Sequence, residues 1–259
     1  MKVALLGPEG TYTHQAAASY FEDLETVFCS TIRDVFNSET KVKFVPIENS
    51  LGGGVSDTVE LLRDGNHTVT AEVRLQIEHA LISDESSVED IETVKSHPQA
   101  LSQCQELIEE HGWEKEETGS TAAAVEELGD GEAALASEIA AEINDKNVLD
   151  TSVQDTDSNV TRFFVLNGGP EDQEKTAMVL EPGEDRPGLL HAMLGCFAGH
   201  QVNLTHIQSK PTKRKLGEYY FYVEAETAGE KLEDTVKCLE TYAEVQNLGT
   251  FSVFGDQDA

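Results

Sequence analysis

Positive charge is scarce in this 259-residue chain: 18 Lys and Arg stand against 49 Asp and Glu, a formal net charge of −31. That balance excludes nucleic acid as a general partner, because phosphate backbones are bound through clusters of Lys and Arg. It excludes an anionic membrane surface on the same ground. Long apolar runs are missing as well, and none approaches the ~20 residues that span a bilayer. Met1-Lys2 leads into Val3-Ala4-Leu5-Leu6-Gly7, too short an apolar run for a secretory signal core, so a cytoplasmic location is expected. The four cysteines, Cys29, Cys104, Cys196 and Cys238, form no Cys-x-x-Cys pair and read as small buried hydrophobes. The eight histidines are dispersed, with no His-x-x-x-His pair and no Cys/His cluster, so no metal site is expected. The glycine-bearing turns follow neither the Gly-x-Gly-x-x-Gly nor the Gly-Lys-Ser/Thr spacing of nucleotide folds.

What is present is enough apolar residue, 39%, to build proper cores. Acidic runs such as residues 114–117 and 181–185 are spread along the chain, unlike the blocks of disordered acidic tails. This pattern suits a surface adapted to concentrated salt, as in haloarchaeal proteins: at 1 M the Debye length is ~3 Å, and repulsion between carboxylates becomes tolerable.

The length suggests two or three compact units. Short apolar strands (residues 3–6 and 42–46) alternate with helices (13–21 and 56–63). A second set follows, with strands at 80–82, 94–96 and 133–136 and helices at 98–110, 120–128 and 137–143. Both sets are α/β patterns. Leu101, Cys104, Leu107 and Ile108 give the helix at 98–110 one buried face. Beyond a Gly168-Gly169-Pro170-Glu171-Asp172 linker the order is strand 176–181, helix 187–199, strands 202–208 and 217–227, helix 230–242 and strand 245–253. That βαββαβ order predicts a ferredoxin-like sandwich.

Polar chemistry gathers where strands end. Thr161-Arg162 heads the apolar run Phe163-Phe164-Val165-Leu166, and a guanidinium fork there suits a carboxylate or phosphate; Arg162 could equally pair with a nearby carboxylate. Gly7-Pro8-Glu9-Gly10-Thr11 offers an anion-attracting turn, or merely a helix cap. After the strand at 42–46 come Glu48, Asn49 and Ser50, then three glycines that let backbone approach a ligand. A plain surface turn explains the glycines but not the three polar side chains. Ser96-His97-Pro98-Gln99, Gln103 and Ser120-Thr121 open helices, as caps or as ligand contacts, and His97 before proline reads as structural.

Residues 7–16, 46–52, 96–104, 120–123 and 159–163 resemble, in order and rough spacing, the motifs of the prephenate dehydratases, and Thr161-Arg162-Phe163 matches that family's hallmark triplet. The resemblance covers essentially the whole chain. It implies a two-lobed, periplasmic-binding-protein-like α/β catalytic domain over residues 1–170. One lobe is roughly 1–75 with 155–170, the other 76–154, and the active site lies in the cleft. It implies a carbon–oxygen lyase, without metal or organic cofactor, that converts prephenate to phenylpyruvate with loss of carbon dioxide and water. Thr161, Glu48, Asn49 and Gln103 would be catalytic. Thr161 would donate to, or orient a donor for, the leaving hydroxyl, and Glu48 would act as an acid or as a brace. Thr11, Ser50, Ser96, Ser120, Thr121 and Arg162 would bind substrate.

Residues 175–259 resemble an ACT regulatory domain, which implies feedback by L-phenylalanine. The turn Asp185-Arg186-Pro187-Gly188-Leu189-Leu190 and the segment Asn203 to Pro211, with Gln208 and Ser209, would hold this effector. Two departures stand out: Gln208-Ser209-Lys210-Pro211 replaces the usual Glu-Ser-Arg-Pro, and His191 replaces a usual valine. The basic group Lys210, Lys213, Arg214 and Lys215 fits a hairpin tip paired with carboxylates better than an effector-carboxylate site. A homodimer or homotetramer is expected. Two other functions suit the same residues: an arogenate dehydratase, or a non-catalytic amino-acid sensor.

Overall fold

The computed structural model describes residues 1–169, 174–184, 186–214 and 217–255. Its contacts divide it into two units. Residues 1–55 and 73–163, with Gly255, form the first; residues 56–72 and 164–254 form the second.

The first unit begins with β1 (Lys2–Leu6), α1 (Tyr12–Tyr20), β2 (Glu25–Cys29), α2 (Ile32–Asn37), β3 (Val42–Asn49) and the two-residue β4 (Gly53–Gly54). Val3, Ala4 and Leu5 are fully buried, and β1 lies parallel between β2 and β3. Such a continuous apolar run is what a strand covered on both faces requires. The strand expected to stop at residue 46 continues to Asn49, and β4 folds back on it through Glu48–Gly54 and Asn49–Gly53 pairing. Glu48 and Asn49 are therefore strand residues, fixed by the ladder, and not part of a loose turn.

After α3 (Ser56–Asp64) and β5 (Val69–Gln76) come β6 (Ala80–Ser83), β7 (Thr93–Ser96), α4 (Pro98–Gln103), α5 (Gln105–His111), β8 (Glu114–Glu117), α6 (Thr121–Glu126), β9 (Glu132–Ala136), α7 (Glu138–Asn144) and β10 (Asn147–Asp150). They make a five-stranded sheet ordered β10-β6-β9-β7-β8. The single helix expected over residues 98–110 breaks at Cys104. Asp155 causes the break: its carboxylate accepts the N–H groups of Gln105 (3.0 Å) and Glu106 (3.1 Å), capping α5 from 50 residues away, while its own N–H donates to the Gln103 carbonyl (2.7 Å). Gln103 is thereby pinned at the end of α4.

The second unit contains α3 and, from residue 175 on, β12 (Lys175–Glu181), α8 (Leu189–Gly199), β13 (Asn203–Pro211), β14 (Tyr219–Glu226), α9 (Gly229–Leu239) and β15 (Glu244–Phe254); these last six follow the expected βαββαβ order. The strands lie β13-β14-β12-β15, all antiparallel. Met178, Leu180, Met193, Phe197, Val223 and Leu239 form the core beneath the helices. Cys196 on α8 and Cys238 on α9 are joined by a disulfide, which corrects their expected role as separate thiols; helix packing brings Cα atoms 42 residues apart in sequence to 5.7 Å. Cys29 and Cys104 are free, and burial pushes the Cys104 thiol up to about 12. In β15, Gly249 adopts φ +137° beside the carbonyl of Val69, a conformation and an approach that leave no room for a Cβ.

The tip of the β13–β14 hairpin grips α3. Lys210 is buried and donates to the Ser56 carbonyl (3.1 Å), Lys213 pairs with Glu60 (2.7 Å), and Arg214 pairs with Glu181 (2.8 Å). Lys215 lies outside the described residues, as do Pro170, Glu171 and Asp172 of the expected linker and Asp185 of the effector turn. Among the described residues no helix is long and apolar enough to cross a membrane.

Candidate active site

β11 (Val160–Leu166) carries the Thr161-Arg162 pair, and strand geometry separates the two. Successive side chains on a strand point to opposite faces. Thr161 and Phe163 line a cavity of about 420 Å³, whereas Arg162 does not; its Nη1 meets Glu48 Oε2 at 2.6 Å. The same alternation in β3 turns Asn49 to the cavity and Glu48 away from it. Glu48 and Arg162 thus tie β3 to β11 as a charge-assisted hydrogen bond.

On the cavity side a chain of hydrogen bonds has a definite sense. Asn49 Oδ1 accepts the backbone N–H groups of Leu51 (3.1 Å) and Gly52 (2.7 Å), and a backbone N–H can only donate. The Asn49 amide is therefore oriented without ambiguity. Its Nδ2 donates to Asn159 Oδ1 (2.7 Å) and to Thr161 Oγ1 (3.0 Å). Asn159 Nδ2 in turn donates to Gln103 Oε1 (3.2 Å), and Gln103 Oε1 also meets His79 Nε2 (2.8 Å). Beyond the imidazole, His79 Nδ1 meets the Tyr12 hydroxyl (2.5 Å). Burial above all, with smaller contributions from the Cys104 thiol and the Glu78 carboxylate, holds the Tyr12 hydroxyl well above its ordinary pKa, so it keeps its proton.

Two consequences follow. Thr161 Oγ1 already accepts a hydrogen bond from Asn49, so its own proton is available to the cavity. Gln103 Oε1 is occupied by two donors, so its NH2 is the group left to face a ligand. Among the described residues the lining contains no Asp, Glu, Lys or Arg, in a chain with 67 such side chains. It is a cavity without carboxylate, ammonium or guanidinium groups, furnished with donors.

Other expected residues serve the framework. Thr11 caps α1, accepting from His14 N–H (3.4 Å) and donating to the Pro8 carbonyl (3.0 Å). Ser50 Oγ donates to the Ser158 carbonyl (2.7 Å) and accepts from Val160 N–H (2.9 Å), fastening the loop before β11. Ser96 is fully buried and donates to the Leu135 carbonyl (2.6 Å). Ser120 caps α6 through Ala123 N–H (3.0 Å) and also lines the cavity, next to Thr121. His97 caps α4 through Gln99 N–H (3.2 Å) and lines it too. Tyr12, His79 and Asn159 were not expected from sequence. Tyr12 and Asn159 lie inside the motif segments 7–16 and 159–163 without a role assigned to them, His79 lies outside any segment, and only tertiary contacts join the three to Gln103.

In the second unit a cavity of about 270 Å³ is lined by Leu189, Leu190 and Ser209 together with Tyr219 and Phe221. Gly188 stands at its edge as the N-cap of α8, at φ +83°. Asn203 and Gln208 lie outside this lining, and Asn203 Nδ2 donates to Glu226 (3.0 Å). Among the described residues no three His, Cys, Asp or Glu side chains come together as metal ligands.

The prephenate dehydratase family model matches residues 3–171, and the ACT domain model matches residues 183–243. A prephenate dehydratase of Methanocaldococcus jannaschii is 36% identical, over 95% of this chain and 96% of its own. The structure of a prephenate dehydratase from Arthrobacter aurescens in complex with L-Phe is 28% identical, with a TM-score of 0.87 over 97% of this chain and 90% of the other. A structure described as GqqA, a quorum quenching acylase, is 25% identical, with a TM-score of 0.89 over 97% of both chains.

Proposed function

The chain belongs to the prephenate dehydratase family, as a carbon–oxygen lyase with a C-terminal ACT domain, and from that premise we propose how its residues act. Residues 1–170 form the catalytic domain, with one lobe of roughly 1–75 and 155–170 and the other of 76–154; residues 175–259 regulate it. Prephenate occupies the cavity of about 420 Å³. The observation that carries this assignment is the sense of the hydrogen-bond chain: Asn49 donates to Thr161, which leaves the Thr161 proton for a leaving hydroxyl.

Prephenate carries two carboxylates, and its ring gains aromaticity when one departs as carbon dioxide and the ring hydroxyl departs as water. The C–C bond pair left by carbon dioxide enters the ring as the new π bond, and the C–O pair departs on the hydroxyl oxygen, which takes up a proton to leave as water, so the protein has to orient the dianion and stabilise charge on the departing oxygen. Thr161 O–H donates to that oxygen. The NH2 of Gln103 and the hydroxyls of Ser120 and Thr121 hold substrate oxygens, each hydrogen bond to a charged group contributing about 1.5–3 kcal/mol. A lining without carboxylate, ammonium or guanidinium groups leaves the reacting carboxylate poorly solvated, which favours its loss as carbon dioxide. Asn49 aims Thr161; Glu48 and Arg162 brace the strands behind it. Ser50, Thr11 and Ser96 support binding through the loops they fix. Fold alone does not choose an activity, as the acylase neighbour illustrates, so the proposal rests on these side chains.

L-phenylalanine binds the second unit at Leu189, Leu190 and Ser209, with Gly188 shaping the turn and Asn203 and Gln208 on the neighbouring strand, and it lowers turnover; the L-Phe complex of the Arthrobacter relative supports this. The working enzyme is a cytoplasmic homodimer or homotetramer. Incubation of the purified protein with prephenate and, separately, arogenate tests the function. Formation of phenylpyruvate from prephenate, suppressed by L-phenylalanine, is the expected result. Phenylalanine formed from arogenate alone would give the enzyme the other substrate, and no turnover of either would leave a sensor.

The acidity serves concentrated salt. With 49 carboxylates against 18 cations, the compact state crowds charge that the unfolded chain spreads out. At ~0.1 M salt the Debye length is ~10 Å and neighbouring carboxylates repel; at 1 M it is ~3 Å. The melting temperature is expected to rise steadily from tens of millimolar to several molar KCl. A flat melting series would assign the acidity to some other purpose.

A further inference from the structure

The side chain of a glutamine has nearly the same shape whichever way its amide is turned, so its partners alone decide whether it shows a ligand its NH2 or its oxygen. We propose that His79 is the positioning residue that decides this for Gln103: by donating its Nε2–H to Gln103 Oε1, it holds the Gln103 NH2 toward the substrate. The inference rests on the cavity being the prephenate site.

Backbone geometry supports a dedicated pairing. One short stretch, residues 153–155, grips both partners. Val153 N–H donates to the His79 carbonyl (2.9 Å), Gln154 Oε1 accepts the His79 N–H (2.8 Å), and Asp155 N–H donates to the Gln103 carbonyl (2.7 Å). The two side chains then meet at 2.8 Å with little freedom to part. Asn159 approaches the same Gln103 oxygen, but at 3.2 Å the contact is the longer of the two.

The tautomer follows from the neighbours. Tyr12 O–H lies at 2.5 Å from His79 Nδ1 and at 3.1 Å from the Glu78 carbonyl; because Asn159 Nδ2 donates to Gln103 Oε1, the Nε2 facing that same oxygen has to carry the hydrogen, and Nδ1 accepts from Tyr12. Burial keeps the imidazole below its ordinary pKa, outweighing the opposing bond to Gln103, so the ring is neutral at neutral pH. A neutral Nε2–H tautomer can only donate to Gln103, and an amide turned the other way would set two donors face to face. It would also present a carbonyl oxygen to an anionic substrate. His79 itself need not touch the substrate.

A purely structural histidine, satisfied within the core, is the competing role, and two substitutions separate the two. Glutamine places its NH2 near the position of Nε2, so His79→Gln keeps the donor to Gln103. Asparagine reaches only the position of Nδ1, so His79→Asn keeps the contact to Tyr12 and loses Gln103. With prephenate, His79→Gln is expected to retain kcat within about threefold, and His79→Asn to lose about tenfold in kcat with a smaller change in KM. In a Gln103→Ala background, His79→Asn should cost no further activity, because it acts through the missing amide.

Equal kcat for the two His79 variants, or the same tenfold loss with and without Gln103, would overturn the proposal. Should His79→Asn fail to fold by circular dichroism, His79→Gln decides alone: a fall to the level of Gln103→Ala overturns it, and retained activity upholds it. A wild-type protein that does not turn over prephenate sinks the reaction itself, and that result is visible before any substitution is made.

Discussion

Thr161→Val is expected to lower kcat on prephenate by about two to three orders of magnitude, the usual effect of removing one preorganised donor to a developing oxyanion. Valine keeps the shape and β-propensity of threonine, so the strand survives. Thr161 is partly exposed to the cavity, so no large void opens. KM should change little, since the hydroxyl is most needed when charge appears on the departing oxygen. Thr161→Ser keeps the hydroxyl and should stay within about tenfold of wild type, the loss reflecting a freer rotor. Steady-state kinetics on both variants, with thermal melts to confirm folding, gives the comparison. Wild-type turnover by Thr161→Val would remove the hydroxyl from the reaction.

Asn49→Asp is the second severe change, although it replaces one atom. Leu51 and Gly52 N–H groups still find an acceptor, so β3 and the following turn keep their hydrogen bonds. The other carboxylate oxygen, however, faces Asn159 Oδ1 and Thr161 Oγ1 and has nothing to donate. Thr161 then rotates to donate to residue 49, and its proton is no longer offered to the cavity. A negative charge also enters a lining that has none. We expect kcat/KM to fall by at least about a hundredfold, combining a lost donor with repulsion of a dianion. Asn49→Ala, which removes the orienting group without adding charge, should fall less. Kinetics of the two variants side by side would refute the directional chain if alanine proved the more damaging.

Much of the architecture was legible because hydrophobic periodicity reports burial. The βαββαβ order of the second unit and strands such as β1, β6 and β9 stand close to where apolar runs put them. β8 escaped notice for the converse reason: Glu114–Glu117 is an edge strand exposed at every position, so its sequence, Glu-Lys-Glu-Glu, carries no alternation. The break between α4 and α5 depends on Asp155, and the cysteine pair on the packing of α8 and α9; neither leaves a local trace. Thr161, Asn49 and Gln103 were found by motif, and the structure joins them through Asn159, which was quoted only as a neighbour. The separation of Thr161 from Arg162 could have been foreseen. Adjacent residues on one strand cannot both face one cavity, and that rule needs only the strand assignment.

The lining of the cavity also bears on how a ligand arrives. Recognition by uncharged donors provides no attraction beyond a few ångströms, whereas the field of a protein with formal charge −31 repels a dianion at long range. Encounter is therefore slowed at low ionic strength and released as added ions contract the field from ~10 Å at 0.1 M to ~3 Å at 1 M. Diffusive capture should quicken with salt even where the fold is already intact. Once bound, the substrate sits among dipoles that mobile ions do not reach, and the bond-breaking step proceeds at a salt-independent rate. Salt would thus act on kcat/KM and leave kcat nearly level, a kinetic separation between the journey to the cavity and the chemistry inside it.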